Sequence, residues 1–155
     1  MGQNNEISWF NWDSLGSQPD FHRFVKGLIG LIQNLSIFKH DYPLIVTPQI
    51  IGEPAITWHG VKLGRPDWSH NSHSLAFTLS YHQYGEQLHV MLNAFYTPLT
   101  FELPPLPPGR HWRRVIDTAL PAPEDFSQLE SAIAIKTSSY RVTERSSVVL
   151  MVTSG

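Results

Sequence analysis

The sequence contains no cysteine. That excludes a disulfide framework, a thiolate metal site and a cysteine nucleophile. Charge is also scarce: Asp, Glu, Lys and Arg make up 15% of 155 residues, against roughly 25% in an average soluble domain. Charge-driven disorder is therefore not expected. There is no basic excess, the formal net charge being -2, so a nucleic-acid partner is not expected either. No apolar run approaches the ~20 residues that span a bilayer, so neither is a membrane partner. The N-terminal stretch lacks a basic start followed by an unbroken apolar segment, and Glu6 stands where a myristoylation signal needs Ser or Thr. The expected location is cytoplasmic. Asn34-Leu35-Ser36 matches a glycosylation acceptor, which means little without a secretory route. No phosphate-cradling glycine loop, nucleophile-elbow motif or internal repeat is present.

What is present is apolar, aromatic and punctuated. Apolar residues make up 41% of the chain and aromatics 12%, with twelve prolines and ten glycines, so a real core built from many turns and little helix is expected. The chain divides near residue 40. Before it, Phe21, Phe24, Val25, Leu28, Ile29, Leu31, Ile32 and Leu35 fall within about 160° of a helical wheel. Pro19 suits the first turn of that helix, and Ser17 with Asp20 resembles a short capping box. Gly27 and Gly30 each weaken the helix by roughly 1 kcal/mol relative to Ala, which suggests close approach to a neighbour. Beyond residue 54 the period becomes two. Leu75, Phe77, Leu79 and Tyr81 share one strand face, with Ser74, Ala76, Thr78 and Ser80 on the other. Leu88, Val90, Leu92 and Ala94 repeat the pattern after a hairpin loop at Gly85. Further strands are expected at 99–103, 112–116, 132–136, 140–143 and 147–152. Short strands with no intervening helix predict a mainly β chain, an antiparallel β-sandwich of Greek-key type preceded by one amphipathic α-helix.

No cofactor is implied. Asp67, His70 and His73 have a spacing that metal ligands use, but a polar loop explains the same residues and no further ligand accompanies them, so no metal site is assigned. Glu124 and Asp125 are adjacent in a Pro-flanked loop, where carboxylates more often cap a turn than share a proton. The aromatics Trp58, Trp68, Tyr81 and Tyr84 lie at strand ends or loops. Their flat faces can stack on sugar rings, making them, with His59, candidates for carbohydrate contact. Aromatics so placed are more often core or interface residues with a polar handle.

A series of strings, in order, resembles the isoamylase-type glycogen debranching enzymes of the alpha-amylase superfamily. Asn5-Glu6-Ile7-Ser8-Trp9-Phe10-Asn11-Trp12 is similar to a segment that follows the last strand of the family's catalytic barrel, and Phe21-His22-Arg23-Phe24-Val25 resembles the barrel's last helix. Ile56-Thr57-Trp58-His59-Gly60, Pro66-Asp67-Trp68-Ser69 and Ser74-Leu75-Ala76-Phe77 resemble strand and loop motifs of the domain that follows. So do Ile116-Asp117-Thr118-Ala119, Pro123-Glu124-Asp125-Phe126 and Arg145-Ser146-Ser147-Val148. The stretch Gln33–Lys39 departs from the family in being far less basic.

The resemblance implies that residues 1–40 are the end of a catalytic barrel and residues 41–155 a C-terminal β-sandwich domain. The parent enzyme would hydrolyse alpha-1,6 branch linkages in glycogen or starch with two carboxyl groups roughly 5 Å apart. In the family these lie upstream of the matched segment, so no catalytic residue is expected here and the isolated chain is expected to be inactive. The expected partners are the catalytic barrel and branched glucan, with self-association through the helix as a further use of its apolar face. The alternatives are a free-standing carbohydrate-binding module and a protein-interaction domain. For a bare apolar helix face, the expectation is that it folds onto the sandwich, pairs with another copy or moves.

Overall fold

A computed structural model describes residues 11–39 and 53–153. The boundary near residue 40 and the motif portion Asn5–Phe10 lie outside the described residues. A short helix, α1 (Ser14–Ser17), leads into α2 (Pro19–Asn34), which passes into a one-turn 3-10 helix at Ser36–Phe38. Eight strands follow: β1 (Ala55–His59), β2 (Ser74–Tyr81), β3 (Glu86–Asn93), β4 (Leu99–Glu102), β5 (Trp112–Asp117), β6 (Ile133–Ile135), β7 (Ser139–Val142) and β8 (Ser146–Val152). Six form an antiparallel sheet in the order β1-β2-β3-β8-β5-β6, while β4 and β7 pair with each other as a second sheet. The expected mainly β chain with a leading helix is what is found. Its layers are unequal.

Pro19 opens α2, but Ser17 does not cap it. The hydroxyl of Ser17 is spent on the carbonyl of Ser14 within α1 (3.2 Å), and Gln18 occupies the cap position with no side-chain bond. The helix folds onto the sheet with only part of its apolar arc. Phe24, Leu28 and Leu31 pack against the sheet, and Leu35 beyond the helix is buried. At 100° per residue these four span about 60°. Phe21, Ile29 and Ile32 occupy the adjoining arc of about 80° and are 66%, 51% and 43% exposed. The two glycines also part company. A Cβ on Gly27 would lie 2.8 Å from the Phe126 ring, whereas nothing approaches Gly30 within 4 Å.

Three contacts hold this helical segment. Phe24 meets Phe126 edge to face, with centroids 6.1 Å apart. Arg23 forms an ion pair with Asp125. Glu86, at the start of β3, accepts the backbone N–H groups of Ser36 and Ile37 at 3.0 Å each. That carboxylate satisfies two donors at a helix start that would otherwise lack partners. The loop carrying Asp125 and Phe126 thus serves as the helix dock, a role beyond the turn capping expected of Glu124-Asp125.

The two faces of the larger sheet are covered differently. Leu79, Tyr81, Leu88, Ile116 and Met151 lie under the helical segment, but Leu75, Phe77, Val90 and Leu92 on the same face are only half-buried. The opposite face carries Ala76, Met91, Val148 and Leu150, all sealed completely by Phe101 of β4 and Val142 of β7. Polar clamps join these layers. Asn93 donates to the carbonyls of Thr97 (3.0 Å) and Thr143 (3.1 Å). Tyr140 of β7 donates to Asp117 of β5 (2.7 Å), and Trp112 Nε1 donates to Pro104 O (2.9 Å).

Candidate functional site

The end of β1 and the loop between β1 and β2 carry Trp58, His59 and Trp68, and the shape of the loop begins with His59 and Gly60. Adjacent strand residues point to opposite faces, so Trp58 lies on the helix-side face and His59 on the sealed one. His59 Nδ1 accepts the Gly64 N–H (2.8 Å), which leaves the proton on Nε2 for donation to Thr78 Oγ1 (3.0 Å). Thr78 in turn donates to His89 Nδ1 (3.0 Å), so the His89 proton sits on Nε2. Burial drives the pKa of His89 down to about 3, with the neighbouring His59 adding to the effect, and burial also lowers His59. Both rings are therefore neutral at physiological pH. Gly60 is required at its position, because a Cβ there would stand 2.3 Å from the Arg65 carbonyl oxygen. Gly64 takes the left-handed conformation at φ 64°. Glu102 of β4 accepts the Leu63 N–H (3.1 Å) and its own N–H donates to Val61 O (2.9 Å). These bonds anchor the loop on both sides.

The anchored loop delivers Trp68 against Trp58, edge to face at 5.5 Å, and Trp58 rests on Phe77 at 5.5 Å. Trp58 is half-buried by this stack, while Trp68 remains 65% exposed. Asp67 accepts the Ser69 N–H (2.9 Å), and that bond holds its carboxyl below the usual carboxylate range. His73 Nδ1 donates to Asn71 O (2.6 Å) and its ring faces Phe95. Asp67, Trp68, Ser72, His73 and Leu92 border an open cleft of about 390 Å³. Among the described residues, no group of three or more His, Asp or Glu could hold a metal ion. Nor is any described helix long and apolar enough to cross a membrane.

The other aromatic pair is elsewhere. Tyr81 is buried at the far end of β2, its ring 4.8 Å from that of the half-exposed Tyr84. Phe77, beside Trp58, and Tyr81 are four residues apart along β2, a separation of about 13 Å. The structure thus brings Trp58 and Trp68 together, keeps Tyr81 and Tyr84 as a separate pair, and turns His59 away from both. Leu92, Ala94 and Arg145 also border this end of the sheet. Residue type alone does not single them out, since only the pairing of β3 with β8, which sets Asn93 opposite Ser146, brings Arg145 to the end of β3. Its one local signal is a left-handed backbone, φ 51°, in a residue that is not glycine.

The carboxylates with defined partners are engaged in structure. Glu86 caps a helix turn, Glu102 pins a loop, Asp117 joins the layers and Asp125 holds α2.

Comparison with known proteins gives a consistent family. Residues 57–152 match the family described as isoamylase 1-3, C-terminal. The chain is 33% identical over 121 residues to chloroplastic isoamylase 1 of Oryza sativa subsp. japonica, covering 77% of this chain and 14% of that protein. It is 28% identical over 151 residues to chloroplastic isoamylase 3 of the same plant, covering 96% of this chain and 18% of that protein. With chloroplastic isoamylase SU1 of Zea mays the identity is 31% over 122 residues, covering 77% and 14% respectively. The chain therefore spans less than a fifth of the curated relatives it matches. All of these relatives are chloroplastic, which overturns the cytoplasmic expectation. Location rests on targeting signals rather than on the folded domain, so composition is a poor guide to it.

Proposed function

Because the chain belongs to the isoamylase 1-3 C-terminal family, we propose that it is a non-catalytic accessory domain of a plastid debranching enzyme that hydrolyses alpha-1,6 branch linkages in starch-type glucan. In this reading residues 1–40 are the end of the catalytic region and residues 41–155 the domain attached to it. The observation that carries it is the divided helix. Phe24, Leu28 and Leu31 are satisfied by the sheet, and the neighbouring Phe21, Ile29 and Ile32 are left bare. A helix with two apolar arcs, one docked and one open, suits a joint between two bodies. Burying each large apolar side chain fully is worth roughly 1.5–3 kcal/mol, so three of them make a substantial contact. The structural employment of Glu86, Glu102, Asp117 and Asp125 supports the absence of chemistry from this domain.

The test is association in trans with the catalytic region of rice isoamylase 1 lacking its own C-terminal part. Replacing Phe21 and Ile29 by Ser should weaken that association at least about tenfold. The unfolding midpoint should stay within about 2 °C, since both side chains are exposed. Equal association of wild type and variant would sink the reading, as would release of reducing ends from amylopectin by the chain alone. Light scattering distinguishes the remaining case, in which the same arc joins two copies of this chain.

A further inference from the structure

The cleft beside Trp68 does not end at β2. A second hollow of about 470 Å³ shares Leu92 and Ala94 with it and runs on to Arg145 and Ser147 of the β8 end. Together they form a trough across the ends of β2, β3 and β8, two strand spacings or about 10 Å wide. Its lining is mixed in a particular way. One end has an exposed indole with a carboxylate beside it, and the other a guanidinium. Between them lie serine hydroxyls, the His73 ring and the apolar floor of Leu92.

The two charges are single, opposite and at opposite ends, so the trough favours neither an anion nor a cation. An apolar peptide would strip water from both charges without replacing it, which is costly on burial. A pyranose chain fits each feature. Its C–H face lies against an indole or a leucine, and its equatorial hydroxyls both donate and accept. Two details show a built surface. Trp68 meets Trp58 edge to face, which fixes its ring at little entropic cost. Arg145 sits in the left-handed region at φ 51°, a conformation that costs an L-residue energy, and its N–H is tied to Phe95 O (3.3 Å).

We infer that this trough is a surface subsite for a linear segment of α-glucan, with one sugar stacked on Trp68 and its hydroxyls bonded by Asp67 and Ser72, and the chain running over Leu92 towards Arg145. The inference deepens the debranching reading, which supplies the glucan class. It gives the domain a task that docking alone does not: holding an outer chain of the polymer away from the chemistry.

The experiment is titration of the 155-residue chain with maltoheptaose, followed by tryptophan fluorescence and backbone amide NMR. A saturable response in the roughly millimolar range is expected, as an open cleft holds few sugars. The shifts should centre on residues 67–73, 92–94 and 145–147. Trp68→Ala should weaken binding about tenfold. Arg145→Gly removes the guanidinium while suiting the positive φ, so it should weaken binding about threefold with an equal or higher melting temperature. Tyr84→Ala, at the separate aromatic pair, should bind as wild type. Shifts centred on Tyr81 and Tyr84, an unchanged affinity in both trough variants, or no response at tens of millimolar maltoheptaose each overturns the inference. If Trp68→Ala instead abolishes association with the catalytic region while the wild type ignores maltoheptaose, Trp68 is an interdomain contact. The subsite then fails and the accessory reading stands. A chain that binds maltoheptaose but not the catalytic region does the opposite, keeping the subsite and removing the accessory reading.

Discussion

The six-stranded sheet has one face whose centre is sealed beneath two short strands and another only partly covered by a helix. The sealed face is the more polar in sequence. It carries Thr78, His89 and Asn93 among its buried residues, and each makes a bond, although the buried His89 Nε2 has none. The partly covered face carries Leu75, Phe77, Val90 and Leu92 and still shows some of that surface. Depth therefore follows from what packs against a face, not from how apolar the face is. The sealed side has its partner within the domain. The richer side retains surface for something outside it, which is where both the open helical arc and the trough lie.

The largest effect that would sharpen this contrast comes from paired truncations. Phe101→Ala on the sealed side should cost about 3–5 kcal/mol of unfolding free energy, since no solvent can fill the space. Leu28→Ala under the helix should cost about 2 kcal/mol, at the low end for such truncations, because the residue is only half-buried. Equal losses in urea unfolding would erase the distinction.

The next effect is in pH. His89 has a folded pKa of about 3 against 6.5 for the free side chain, so the unfolded chain binds the extra proton between these values. Stability from this group is complete above pH 6.5 and falls as the pH drops towards 3, by a total on the order of 5 kcal/mol. Melting temperatures measured across that window should decline, and His89→Asn should flatten the decline while keeping an acceptor for Thr78. An equally steep decline in the variant would show that the sealed face is not the acid-sensitive one.

The smallest effect separates the two helix glycines. Gly27→Ala should destabilise by about 1 kcal/mol, as its methyl meets the Phe126 ring that anchors the dock. Gly30→Ala should stabilise by up to about 1 kcal/mol, as it meets nothing and improves the helix. A gain at both positions in thermal melts would mean that α2 is not held against Phe126.

Much of this is legible in the chain alone. The alternation Leu75-Phe77-Leu79-Tyr81 and Leu88-Val90-Leu92 places the strands within a residue or two and assigns their faces correctly. The Gly85 hairpin is also legible, since its left-handed φ of 63° is what glycine permits. Ser17 misleads because a residue three places back competes for its hydroxyl. Adjacency groups His59 with Trp58, although neighbours on a strand face opposite ways. Arg145 has no local mark in its identity, since backbone angles are not written in a residue's name.

Residue order was sufficient to set which side chains stand together, because a period of two or 3.6 follows from local backbone geometry. It was not sufficient to rank the two sheet faces, to choose which half of the α2 arc would be buried, or to join Trp68 to Arg145 across three strands. Those outcomes depend on contacts between segments far apart in sequence, Arg23 and Asp125 being 102 residues apart, where the shape of one surface selects the other, and no local rule carries that information.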